Sequence, residues 1–278
     1  MMDYRLPTGE WGKIAIDFLK TEFRTPLRAF SNFIDHILVA ISDGILFLPV
    51  WVFIVLIALI AWKVAGKSIA LLSVIGLTFI WNMGLWEATS ETLALVLLAA
   101  TFTLIIGFPL GILSSRFNWI RDALRPILDV MQTLPSFVYL LPVIMFFGLG
   151  KTAGLAATMI FSMPPVVRFT DIGIRQVDKE MTEAALSYGS TPWQTLYEVQ
   201  IPMAKETILG GINQTVMLNL SMTVIGGMIG AGGLGLEVIR SVQRVDIPSG
   251  IDSGLSVVFV AVIIDRILQS LGKPKAQK

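Results

Sequence analysis

Cysteine is absent from the 278 residues, and histidine occurs once, at position 36. Disulfides and thiol nucleophiles are therefore excluded, and a metal site built from imidazole and thiolate ligands cannot be assembled. His36 reads as a polar residue of a peripheral, interfacial region. Charge is also scarce: 21 Lys+Arg against 20 Asp+Glu leave a net charge of +1, and charged residues make up 15% of the chain. That balance singles out no partner by charge, and nucleic acid is not expected as one. There is no nucleophile-elbow pattern, and the carboxylates do not pair within the apolar runs as acid/base chemistry requires, so the chain is not expected to be an enzyme. Gly148-Leu149-Gly150-Lys151-Thr152 resembles the end of a phosphate-binding loop. That motif needs glycine five residues before Gly150, where Met145 stands, so the segment reads as a turn between helices. With no ATP site of its own, the chain must draw energy from a partner or a gradient.

Long apolar runs are what the sequence has instead. Hydrophobic residues form 54% of the chain, and the mean hydropathy is +0.75. Uncharged runs lie at 44–62, 68–86, 92–115, 130–150, 152–167 and 207–236, with a seventh apolar segment near 249–271. A bilayer core takes about 20 apolar residues per helix, so the reading is an all-α polytopic membrane protein with about seven transmembrane helices. Nothing alternates as a barrel strand would. Residues 1–43 carry five Lys/Arg and six Asp/Glu, without the layout of a secretory signal. Trp11, Ile14 and Phe18, then Phe30, Phe33, Ile34 and Ile37 after a break at Pro26, predict amphipathic helices at the membrane interface. They serve either as a platform for an extracytoplasmic partner or as an anchor for the first span.

Between the apolar runs, residues 183–202, EAALSYGSTPWQTLYEVQIP, interpose a polar segment. Val177, Met181, Ala184 and Tyr188 recur at helical spacing. Gly189 supplies a left-handed stop, and Thr191, Pro192 and Gln194 supply an N-cap, a first-turn proline and a capping-box partner for a second helix. Pro202 is predicted to end that helix and to bias Ile201 away from helical angles.

At these residues the chain resembles the permease subunits of ATP-binding-cassette importers. Their signature of Glu-Ala-Ala, three residues, Gly, nine residues, aliphatic, one residue, aliphatic, Pro is matched by Glu183, Ala184, Ala185, Gly189, Val199, Ile201 and Pro202. The stretches QTLPSFVYLLPVIMFFGLG (132–150), FSMPPVVRFTDIGIRQV (161–177), GGINQTVMLNLSM (210–222), AGGLG (231–235) and VIIDRILQ (262–269) resemble the glycine betaine/proline betaine branch. The resemblance implies a type I importer permease fold. It covers about 89–270, and with the apolar runs it divides the chain into an interfacial segment at 1–43, two additional spans at 44–88, a transmembrane core at 89–270 with a cytoplasmic coupling hairpin at 176–205, and a cytoplasmic tail at 271–278. It further implies a homodimer, two copies of an ATPase that binds the ATP and Mg, and a separate extracytoplasmic substrate-binding protein. Glu183, Ala184, Ala185, Gly189 and Pro202 would couple to the ATPase.

If the hairpin is cytoplasmic, parity places Lys63/Lys67, Arg116/Arg121/Arg125 and Lys273, Lys275 and Lys278 inside, a positive-inside pattern. The spans themselves carry uncharged polar residues: Gln132, Ser136 and Tyr139 on the fourth, and Asn213, Gln214, Asn219 and Ser221 on the sixth. Polar groups facing lipid are costly, so this set is the candidate translocation path, with helix-packing contacts as the competing role. Asp171 is expected to pair with Arg168 or Arg175. Two other functions stay open at this point: a permease for another small solute such as an amino acid, and a gradient-driven transporter or osmotic channel.

Overall fold

The computed structural model describes residues 22–272, together with residue 10. Trp11, Ile14, Phe18 and the lysines of the tail lie outside the described residues. Helices α1 (Arg24–Phe47), α2 (Val50–Ala65), α3 (Lys67–Asn82), α4 (Trp86–Arg116) and α5 (Asn118–Thr133) follow one another. After a short 3-10 turn at Ser136–Tyr139 come α6 (Leu140–Phe147), α7 (Lys151–Arg175) and α8 (Lys179–Ser187). No strand occurs among the described residues.

The core is built around α7, which lies between α4 and α10 (Lys205–Gly226). α4 runs parallel to α7: Thr103 Oγ1 lies 3.5 Å from Ser162 Oγ, and Lys151 Nζ donates to Glu91 Oε1 at 2.7 Å. A Cβ at Gly111 would stand 2.6 Å from Thr170 Cβ, so glycine sets the closeness of that crossing. α10 runs the other way, with Gly173 facing Thr207 and Gly211 facing Phe169. The chain then returns through α11 (Gly233–Arg244) and α12 (Ile247–Gly272).

Among the described residues, four helices are long and apolar enough to cross a membrane, Thr25–Phe47, Trp86–Arg116, Lys205–Ile229 and Ile247–Gly272, and the bent pair Asn118–Thr133 and Ser136–Phe147 makes a fifth if it is one span. Several of the expected seven spans are shorter than these or bent. The run 130–150 is not one straight helix, because Pro135 lacks an N–H and forces Leu134 extended (ψ 134°). α5 and the Ser136–Phe147 segment meet there at 110°. α5 carries Trp119, Ile127 and Val130 exposed on one side and Arg121, Arg125 and Asp129 on the other, the layout of a helix lying in the interface. α2 and α3 form a hairpin at Gly66, each 16 residues or about 24 Å long, short of a ~30 Å hydrocarbon core. The run 207–236 ends as helix at Gly226, and its remainder turns through left-handed Gly230 into α11.

α1 differs most from expectation. It starts at Arg24, with Pro26 in its first turn, and runs on as one helix through position 44, where the first span was expected to start. Thr152 Oγ1 donates to Asp35 Oδ1 at 2.8 Å, and the hydroxyls of Ser42 and Ser90 are 2.9 Å apart. By the α4–α7 register, Thr152 and Ser90 lie at nearly the same depth. Asp35 and Ser42, however, are seven residues or about 10 Å apart along α1. α1 therefore lies across the outer ends of α4 and α7 instead of running down beside them.

Candidate functional site

The segment between α7 and α10 folds as two helical limbs. Asp178 caps α8 by accepting from Glu180 N at 3.0 Å. α8 closes on Gly189 (φ +88°), with Ser190 N donating to Ala185 O at 3.2 Å and Gly189 N to Leu186 O at 3.0 Å. That is the double bond pattern of a left-handed helix stop. The second limb, α9 (residues 192–203), begins with the expected capping box: Gln194 N donates to Thr191 Oγ1 at 3.3 Å, and Thr191 N to Gln194 Oε1 at 2.8 Å.

Pro202 does not end this limb. α9 runs as Pro192–Gln194, a π-helical stretch Thr195–Gln200, and Ile201–Met203. Ile201 is helical (φ −63°, ψ −46°), against the expectation for a residue before proline. The reason is the missing N–H of Pro202, which deprives the Glu198 carbonyl of its usual partner four residues on. The chain answers with wider turns, as Ile201 N reaches back to Leu196 O. One extra residue is thereby accommodated, and the helix continues almost directly into α10.

The underside of the hairpin is fixed to the membrane core. Leu196 is fully buried against Ile112, Ile174, Ala204 and Ile208. Arg175 Nη2 donates to Ser114 O at 2.6 Å, and Arg116 donates to the Pro192 carbonyl. Arg175 also pairs with Asp171 at 2.8 Å, one of the two partners expected for that carboxylate; Arg168 pairs with Asp129 instead. The opposite surface is open. Tyr188 is 93% exposed, and Trp193 and Tyr197 are exposed and stacked with ring centroids 6.1 Å apart. Glu183 and Ala184 are exposed, Ala185 is half-buried and Pro202 is exposed. Glu183 lines a small cavity with Arg116, Arg175, Lys179 and Gln200. The exposed aromatic trio was missed in the sequence. Its signal was the i,i+4 spacing of Trp193 and Tyr197, which places both rings on one face about a quarter-turn from Leu196.

The residues considered for a path do not converge on one surface. Gln214 and Ser221 are exposed on α10, in line with Gly210 and Met228. At 100° per residue this stripe lies opposite Ile212 and Val216. Gln132 is exposed at the end of α5, and Ser136 is half-buried. The others point inward. Tyr139 is buried, donates to the Met131 carbonyl and packs edge-on against Phe161 at 6.0 Å. Asn213 is turned to α12, where Nδ2 donates to Asp265 Oδ1 at 2.9 Å. Asn219 is fully buried, and neither atom of its amide has a hydrogen-bond partner among the described residues.

Residues 103–271 match the family described as binding-protein-dependent transport system inner membrane component. The chain is 44% identical over 272 residues to the glycine betaine/carnitine transport permease protein of Listeria monocytogenes, covering 96% of both chains. It is 41% identical to the glycine betaine/proline betaine transport system permease protein of Escherichia coli, with 96% of this chain and 76% of that one covered. It is 39% identical to the glycine betaine transport system permease protein of Bacillus subtilis, with 99% and 97% covered. Among solved structures, the inward-facing MetNI methionine ABC transporter shares the fold, with a TM-score of 0.59 at 21% identity over 66% of this chain and 94% of that chain. A crystal structure of an amino acid ABC transporter with histidines aligns with a TM-score of 0.58 at 25% identity, covering 70% and 96%. This chain is thus a multi-pass membrane protein with the type I importer permease fold, and it belongs to the family of binding-protein-dependent transport system inner membrane components.

Proposed function

We propose that this chain is the permease subunit of an ATP-driven importer for glycine betaine or a related quaternary ammonium solute, and that it is not itself an enzyme. The observation that carries the mechanism is the hairpin: a rigidly capped, two-limbed element whose underside is locked to α4, α7 and α10 while Tyr188, Trp193 and Tyr197 stand free. Exposed aromatic side chains on a supported scaffold suit a docking surface. The occupant is an ATPase subunit, present in two copies, which binds the ATP and Mg. Two copies of this chain turn the Gln214 and Ser221 faces of α10 toward a shared path, and a separate binding protein delivers solute at the outer end. Closure of the ATPases moves the hairpins, and alternating access follows from a rigid-body change at the interface between copies. The substrate class rests on the three relatives named above.

The test is reconstitution. Vesicles holding this chain with its ATPase and binding protein should accumulate glycine betaine when ATP is supplied, and trimethylammonium compounds should compete whereas sugars should not. Vesicles holding the chain alone should accumulate nothing. Accumulation by the chain alone under a proton or sodium gradient would move the assignment to a gradient-driven transporter. Competition by an ordinary amino acid with no effect of betaine would keep the class but change the solute.

A further inference from the structure

The α2–α3 hairpin packs on α12 and meets α4 at its start, where Phe53 lies edge-on to Trp86 at 5.3 Å, and the gap beyond that contact is a slot of about 480 Å³. Phe53, Leu97, Ala100, Ile212, Val216 and Ile264 are among its walls, and every lining residue but one is apolar. The exception is Thr101, whose hydroxyl is already spent on Leu97 O at 2.7 Å. Along α4 the lining runs from Leu93 to Leu104, about 17 Å of helix, close to half the thickness of a ~30 Å hydrocarbon core. Level with its inner end, on neighbouring faces of α10 and α12, lies a polar seam, where Asp265 accepts from Asn213 at 2.9 Å and from Gln269 at 2.8 Å.

We propose that this slot is a binding site for one acyl chain of a membrane phospholipid, with the lipid's polar end at the Asn213–Asp265–Gln269 seam. Three observations select this occupant over a second copy or a transported solute. The slot lies on the side of α10 opposite the Gln214–Ser221 stripe, so a copy docked on that stripe leaves it uncovered. It offers a hydrophilic solute no unspent side-chain hydrogen-bonding group, because its one hydroxyl is satisfied. Its length is that of one leaflet, and a polar seam flanks its inner end alone, within reach of the headgroup of a lipid whose acyl chain fills the slot. An acyl chain held there fills the space between the accessory hairpin and the core and fixes their spacing. Left empty, the slot would forfeit dispersion contacts along its whole length.

A phospholipid carrying a photoreactive diazirine midway along one acyl chain, reconstituted with the full chain and its partners, tests this directly. Labelled peptides should concentrate in 93–104 and 260–268 relative to the exposed Leu71, Val74 and Ile75 of α3. In Ala100→Phe, which squeezes about two methylenes out of the slot, labelling there should fall about tenfold. The same enlargement at Ile105→Phe, on the exposed face of α4 outside the slot, should leave it unchanged. Labelling spread evenly over the exposed apolar residues would overturn the site without need of any variant. So would equal labelling of the Ala100→Phe protein. Because the chain has no cysteine, a single Leu97→Cys variant gives a clean further check. Disulfide cross-linking between two copies in the membrane would show that a second copy fills the slot, and would also overturn the proposal.

Discussion

Asn213 and Asp265 meet across 52 residues of chain, the amide donating to the carboxylate at 2.9 Å inside the bundle. Gln269 donates to the same carboxylate from one turn further along α12, and Arg266 approaches it at 3.8 Å. An ionisable group in a span is expensive unless it is paired or solvated, so Asn213 helps satisfy Asp265 and in doing so ties α10 to α12. Removing a partner of a charged group costs about 1.5–3 kcal/mol. Asn213→Ala should therefore lower the melting temperature of the detergent-solubilised protein by several degrees, and Asp265→Asn should lower it less, since a neutral amide no longer demands the bond. Unchanged thermal unfolding in Asn213→Ala would show that the pair contributes nothing.

The polar residues of α10 should separate into two classes. Gln214 and Ser221 are exposed, and alanine at either should leave the amount of protein in the membrane near normal while slowing uptake. Asn219 is sealed inside with both amide atoms unpartnered among the described residues. Each unsatisfied buried group costs about 1–3 kcal/mol, so Asn219→Leu, of similar size, should keep or raise thermal stability. A marked fall in stability would mean that a water or partner group satisfies the amide in the assembled transporter. If Gln214→Ala and Ser221→Ala both transport normally, the stripe serves packing and not passage.

How much of this was legible beforehand depended on the range of the interactions involved. The caps at Asp178, Gly189 and Thr191 are set by neighbours within three or four residues, so the sequence displays them directly. The bend at Pro135 was in principle visible too, but the apolar content of 130–150 outweighed the proline in a reading based on runs. Asn213, Gln214, Asn219 and Ser221 look alike in sequence because each is polar within an apolar helix. Only the angular positions of α7 and α12 around α10 decide which is buried, paired or free. The path of α1 is the extreme case, since it is set by contacts from Asp35 to Thr152 and from Ser42 to Ser90 that no local pattern announces.

Asp246, in the turn between α11 and α12, is held below the usual aspartate range, first by the Ser249 hydroxyl that donates to it at 2.7 Å, then by the Ser249 N–H, with Arg244 adding a smaller favourable charge. A depressed carboxylate stabilises the folded turn at every pH above its unfolded value, and that contribution disappears as pH falls through the folded value. Amide exchange at residues 247–250, corrected for its intrinsic pH dependence, should therefore quicken relative to the rest of α12 as the protein is acidified below the ordinary aspartate range. Asp246→Asn should remove that acid sensitivity. Parallel acid profiles for the two proteins would leave no role for this carboxylate.

The π-helical stretch in α9 joins a backbone defect to the proposed coupling. Pro202→Ala restores an N–H and relieves up to about 3 kcal/mol of helix penalty, enough to draw Thr195–Gln200 back to α-helical register. Losing the extra residue rotates what precedes it by about 100° relative to α10, which turns Trp193 and Tyr197 away from their present direction. Gly189→Val acts at the other limb. Its φ of +88° costs a side chain roughly 1 kcal/mol and a β-branched one more, although nothing lies within 4 Å of the added Cβ. Glu183→Lys reverses a charge on the exposed face of α8. All three variants should reach the membrane in near-normal amounts, because the packing of the spans is untouched, although in Pro202→Ala Leu196 turns with the limb. Each should lose ATPase in co-purification and lose most uptake at matched expression. Normal co-purification and transport in Pro202→Ala would mean that the aromatic face is not the docking surface. Normal transport in both Gly189→Val and Glu183→Lys would remove the coupling role from the hairpin altogether.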